Sequence, residues 1–116
     1  MKIMHYSEAP SQTFNSEQVQ GVTGRVAIGK ADGAAKFCMR VFELSTDGHT
    51  PLHQHDWEHE IFFHEGTGEV YQDGHWQSVA PGSVVFIPGN ESHQIRNTGS
   101  QTLVFVCLIP SGAPEL

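Results

Sequence analysis

Turn signals punctuate this chain too often to leave room for a helix of any length. Ala31-Asp32-Gly33, Thr46-Asp47-Gly48, Asp73-Gly74, Pro81-Gly82, Pro88-Gly89-Asn90 and Asn97-Thr98-Gly99-Ser100 each combine residues that tolerate positive φ or preset a bend. With 12 glycines and 6 prolines in 116 residues, the chain has the composition of a fold made of short, sharply turned segments. Strand-like runs recur about every 8–12 residues between these signals, the spacing of an all-β sandwich or barrel.

Val19 to Ile28 alternates loosely and reads as a first strand. Lys36 to Leu44 is apolar on both faces except at Arg40, which implies burial on both sides. Thr46-Asp47-Gly48 is expected to turn the chain into a histidine-rich stretch. Glu60–Glu65 and Gly68–Gln72 follow as strands, and Asp73-Gly74 is a type I′ hairpin signal returning the chain through His75–Val79. Ser83 to Ile87 reads as a short buried strand, His93 to Asn97 as another, and Leu103 to Ile109 is the most hydrophobic run. Three segments result: a polar arm over residues 1–18, a single barrel domain over 19–110 and an irregular tail over 111–116. The arm is expected to fray or to lie along a sheet edge, that of a partner chain included.

The net charge of −7 argues against a nucleic-acid or anionic-membrane surface, and no apolar stretch is long enough to span a bilayer. Cys38 and Cys107 sit singly inside apolar runs, so they form no disulfide framework and a reducing, cytoplasmic setting is expected.

Six of the eight histidines lie between His49 and His75. Neutral imidazole is the commonest protein metal ligand. In an extended strand His53 and His55 would point to one side, with Trp57 on the same parity, and His59 follows. His93 answers them from a distant, turn-rich segment. The competing reading is a chance collection of surface or core imidazoles. His5, His49, His64 and His75 have no partner pattern, and Trp57 and Trp76 read as packing or interface residues.

These residues resemble the two motifs of the cupins, small β-barrels (jelly rolls, or double-stranded β-helices) that hold a metal in the barrel mouth. The second motif, Gly-x5-Pro-x-Gly-x2-His-x3-Asn, is nearly intact as Gly82, Pro88, His93 and Asn97, with Asn90 in place of its second glycine. Asparagine is the next most tolerant residue of positive φ, so the turn should survive. The first motif, Gly-x5-His-x-His-x3,4-Glu-x6-Gly, departs further. Gly48 stands one residue too close to His53, and both spacings place His59, not Glu60, where the family has its glutamate. The resemblance therefore implies a four-imidazole site of His53, His55, His59 and His93. Glu60 remains the alternative ligand, and Glu60 or Glu58 could orient a metal-bound ring. The WEHEIF wording of residues 57–62 is similar to compact manganese-binding, oxygenase-like cupins with all-histidine sites. Family habit and the doubly apolar strands imply a homodimer.

Four neutral imidazoles leave a divalent ion's charge uncompensated, which makes bound water more acidic and attracts anions. The resemblance favours manganese or iron, and imidazole also accepts zinc, nickel, copper and cobalt. Arg40 needs a partner: either a structural carboxylate or, facing the cavity, an anionic group of a substrate. By parity Ile95 should lie near the metal. Cys107 is either a plain buried thiol or part of a pocket lining with Phe105 and Ile109. Three functions stay open. The first is a dioxygenase-type oxidoreductase acting on a small, largely apolar molecule. The second is a non-redox isomerase or hydrolase using the metal as a Lewis acid, and the third a non-catalytic metal- or ligand-binding module.

Overall fold

The computed structural model covers all 116 residues, Met1 to Leu116. Nine antiparallel strands carry the chain: β1 (Ser11–Phe14), β2 (Gln20–Ile28), β3 (Phe37–His49), β4 (His59–Glu65), β5 (Gly68–Gln72), β6 (His75–Val79), β7 (Val84–Ile87), β8 (Gln94–Asn97) and β9 (Leu103–Pro110). Two three-residue 3-10 turns, Tyr6–Glu8 and Lys30–Asp32, are its only helical segments. No helix is long and apolar enough to cross a membrane. At the β5–β6 hairpin Asp73 and Gly74 take φ 48° and 79°, the paired positive values a type I′ turn demands.

The strand order is β6-β5-β8-β3-β9-β4-β7, with β2 and then β1 added beside β3. Strand β3 curls this sheet into a barrel. Phe37 to Leu44 lies between β2 and β9, whereas its last residue, His49, pairs with Arg96 of β8. Between the two halves Asp47 takes φ 63°, and the register with β2 slips between Gln20 and Val22. Thr46-Asp47-Gly48 therefore kinks the strand instead of ending it, correcting the turn expected there. The slip brings Gly21, at φ 61°, so close to β3 that a Cβ would lie 2.0 Å from Ser45 Oγ.

Inward-facing side chains of the curled sheet form one core in which Leu44, Phe63, Leu103 and Ile109 are fully buried. Each contributes about 1.5–3 kcal/mol by leaving water. A smaller cluster on the outer face, Ala27, Val41 and Val104, is covered by Tyr6 and flanked by Met39 and Val106. That cover accounts for the outward apolar residues of β3 and β9 at this end of the sheet. The arm supplies it in cis: β1 pairs with β2 of the same chain, Ser11 opposite Arg25 and Phe14 opposite Val22.

Strand β7 departs from expectation. Ile87 is buried, but Val84 and Phe86 are 75% and 61% exposed, because β7 ends its sheet and nothing in the chain covers its outer face.

Candidate metal centre

Strand parity does not gather the histidines. Residues 50–58 form no ladder; beyond a Thr50 N–H bond to the Ile95 carbonyl at 2.9 Å they hold an isolated bridge between His53 and His93, and the chain bends at Asp56 and Trp57. The polar loop is instead held by the Pro88-Gly89-Asn90 turn. Asn90 adopts φ 65°, as its place in the motif required, and its N–H donates to the His55 carbonyl at 2.6 Å. Gly89 packs against Asp56 so closely that a Cβ would sit 2.4 Å from the Asp56 carbonyl oxygen. The motif's final residue, Asn97, is buried. Its amide donates to the carbonyls of Leu44, Ser45 and Gln101, and its Oδ1 accepts from Gly99 N–H. These bonds tie the strand that carries His93 to β3.

The four rings meet at the barrel mouth. Centroid separations are 4.5 Å for His53–His93, 5.2 Å for His53–His55, 5.0 Å for His55–His93, 4.6 Å for His55–His59 and 5.0 Å for His59–His93. His53, His55 and His93 form a cluster that could hold a metal, one ligand atom from each lying within 4.8 Å of the others. Ligands on one ion bonded at about 2.1 Å lie at most ~4.2 Å apart, so small ring rotations would close the site.

The hydrogen bonds agree with that use. Nδ1 of His53, His55 and His93 lies 2.8–2.9 Å from the carbonyl oxygens of Pro51, Trp57 and Glu91 respectively. A carbonyl only accepts, so each Nδ1 carries the proton and each Nε2 has a lone pair that a cation could take, that of His55 in exchange for the hydrogen bond it accepts from His59. Trp57 stacks on His55 at 4.0 Å and 4°, fixing that ring's plane from its other face.

His59 is held differently. Its Nδ1 lies 3.3 Å from Arg40 Nη2 and 3.2 Å from Cys107 Sγ, while its Nε2 is 2.8 Å from His55 Nε2. Arginine only donates, so His59 Nδ1 accepts and its Nε2–H donates to His55. Burial, then the Arg40 charge, pushes the His59 pKa from 6.5 down to about 3. Burial also lowers those of His55 and His93. The Cys107 thiol is raised by burial, with Arg40 opposing; Cys38 reaches about 11, chiefly through burial and then Glu115.

Beside the rings is a cavity of about 90 Å³ lined by Arg40, Phe42, Thr50, His59, Ile61, His93, Ile95, Phe105 and Cys107. It contains every residue expected of the pocket except Ile109, which is 1% exposed within the core beyond it. Phe42, Thr50 and Ile61 were not anticipated. Phe42 and Ile61 are signalled by parity with Arg40 and His59; Thr50, in an irregular loop, had no such signal. Glu58 and Glu60 are exposed and line a separate outer hollow with Lys36 and Leu108. A hollow of about 410 Å³ is also outside the barrel, over β4, β7 and β9, away from the histidines. Arg40 has no carboxylate within ion-pair distance, so the structural pair considered for it is not formed.

Residues 40–109 match the family of the cupin domain, and the chain belongs to it. The polyketide cyclase RemF from Streptomyces resistomycificus superposes with a TM-score of 0.90 at 33% identity, over 98% of this chain and 82% of that one. The 1-methylthio-D-xylulose 5-phosphate methylsulfurylase of Rhodospirillum rubrum is 32% identical over 71 residues, 61% of this chain and 46% of that protein. An oxalate-binding protein of Thermotoga maritima is 37% identical over 59 residues, 50% of this chain and 49% of that protein. The chain thus spans about half the length of these two curated relatives.

Proposed function

We propose that this cupin is a metal-dependent enzyme of Lewis-acid type acting on a small, oxygen-rich carbonyl compound. Its divalent metal is held by His53, His55 and His93, with His59 as fourth ligand. The observation that carries the reading is a cluster of three backbone-anchored imidazoles, one ligand atom of each within 4.8 Å of the others, beside a cavity with no carboxylate in its lining. A metal so bound would keep nearly its whole positive charge for polarising a carbonyl or stabilising an enolate. The relatives support this direction. Polyketides, ketose phosphates and oxalate all present neighbouring oxygen atoms, and closing a ring between ketones needs no electron acceptor.

The chain's own residues divide the work. Trp57 and the three backbone carbonyls orient the rings. Phe42, Ile61, Ile95 and Phe105 keep water from the cavity wall. To serve as ligand through Nε2, His59 must carry its proton on Nδ1, where Cys107 Sγ is the available acceptor. Glu58 and Glu60 face outward and supply no base.

The second reading, oxygen chemistry of dioxygenase type with manganese or iron, is favoured by the apolar share of this lining, five of nine residues. Two measurements separate the readings. Zinc-loaded protein under nitrogen should turn over a small poly-β-ketone. Turnover confined to manganese or iron with oxygen uptake would transfer the assignment to the second. Metal content of His59→Ala and Glu60→Ala tests the ligand set. The first should lose about 10-fold or more in affinity and the second little; equal loss would remove His59 from its place.

A further inference from the structure

Arg40 is 8% exposed and has no counter-charge. It projects inward from β3 opposite Cys107 of β9, and its guanidinium bonds to three groups, none a carboxylate. These are Cys107 Sγ at 3.0 Å, His59 Nδ1 at 3.3 Å and the Glu115 backbone carbonyl at 3.4 Å. Its Nε–H is buried with no acceptor at all. The ring of Phe42, 5.0 Å below the guanidinium carbon, offers only a weak cation–π contact.

The acidic side chains nearby are committed elsewhere. Glu115 Oε2 accepts from Lys30 N–H, Glu43 pairs with Arg25, and Glu58 and Glu60 lie on the outer surface. A buried, unpaired guanidinium is among the costlier features a small barrel can keep. A side chain that served only to fill space here would be a methionine or leucine.

Resting on the Lewis-acid reading, and naming its substrate class, we propose that Arg40 is the anion receptor of this cavity. The substrate is a small carbonyl compound that also carries a carboxylate or equivalent oxyanion. Its ketone oxygens face the three-histidine cluster and its anion faces Arg40. The planar guanidinium, with donors to spare, suits a carboxylate better than a lysine would. Cavity size agrees. About 90 Å³ takes only the polar end of such a molecule, the remainder leaving by the mouth where His53 is exposed.

The test compares acetopyruvate with acetylacetone, the same β-diketone with and without a carboxylate. Binding to zinc-loaded wild type and Arg40→Met is followed by calorimetry. Acetate is titrated into the metal-free proteins while the arginine Nε–H resonances are watched by NMR. Wild type should prefer acetopyruvate by about 10-fold or more, a single buried arginine resonance should move with acetate, and Arg40→Met should lose both while still binding acetylacetone. Equal affinity for the two diketones, or a preference that survives in Arg40→Met, overturns the proposal and leaves the carbonyl reading standing. Should neither diketone bind while acetate still shifts the Arg40 resonance, the carbonyl reading falls and the anion receptor stands. Silence in every titration overturns both. Arg40→Lys adds a control: it keeps the charge but not the fork, and should retain only part of the preference.

Discussion

His59 differs from its three neighbours in what fixes its ring, and that difference has a measurable consequence. His53, His55 and His93 give their Nδ1 protons to backbone carbonyls, whereas His59 faces a cation and a thiol. Its folded pKa, about 3, lies below the ordinary 6.5, so the folded protein refuses a proton that the unfolded chain accepts. Where the unfolded state binds more protons, stability rises with pH. The stability due to neutral His59 is therefore present above about pH 6.5 and is lost as pH falls toward 3, with His55 and His93 acting in the same sense. Metal-free protein should show a Tm at pH 4.5 lower than at pH 7 by about 5 °C or more. His59→Gln should flatten that slope; an unchanged slope would mean the ring is not held neutral. Sequence spacing points to His59 rather than Glu60 as the expected ligand, but carries no sign of its altered proton arrangement. That arrangement depends on Arg40 and Cys107, residues 19 and 48 positions away, which the β3–β9 and β4–β9 registers together bring to it.

Among the elements, those with regular ladders were the legible ones. Period-2 patterns and turn residues place β2, β5, β6 and β9 nearly to the residue, because the same pleat that alternates side chains also decides which are apolar. Two elements resisted for different reasons. The Thr46–Gly48 triplet has turn chemistry, yet Asp47 spends its positive φ on a bulge, a choice made by Gly21 on the neighbouring strand. The His53–His59 segment has strand-like alternation, yet its backbone is anchored by a turn more than thirty residues away. The contact at Gly89 makes this dependence testable. Gly89→Ala would drive a methyl to 2.4 Å from the Asp56 carbonyl, forcing the His55 loop off the Asn90 turn. The expected result is a zinc affinity weaker by about 10-fold or more, with the far hairpin β5–β6 unaltered in amide exchange. Wild-type affinity in this variant would show that the loop holds its own shape.

At the scale of the molecule, one face remains without cover. Cross-strand rows run outward over three strands, Val84–Phe62–Val106 and Phe86–Glu60–Leu108, the second continuing to Met39 on β3. Phe62, Val84 and Phe86 are 48%, 75% and 61% exposed. The arm seals the far end of this surface through Tyr6 and stops there, so the arm does not account for the rest. A contiguous exposed apolar face of this kind marks an interface, and we propose a second copy of the chain as its partner. In a two-fold contact the same patch lies opposite itself, which asks for a face of low charge. Glu60 is the one ionised side chain in these rows and shares its hollow with Lys36. The chain is therefore expected to form a homodimer through β4, β7 and β9. Light scattering on size-exclusion fractions should give twice the 12.8 kDa chain mass. Phe62→Glu combined with Phe86→Glu should yield a monomer that still binds zinc, since neither residue touches the histidine cavity. A wild type that stays monomeric at tens of micromolar would leave this face for another partner. A double variant that stays dimeric would move the interface to a different surface, with the outer edge of β1 the next to examine.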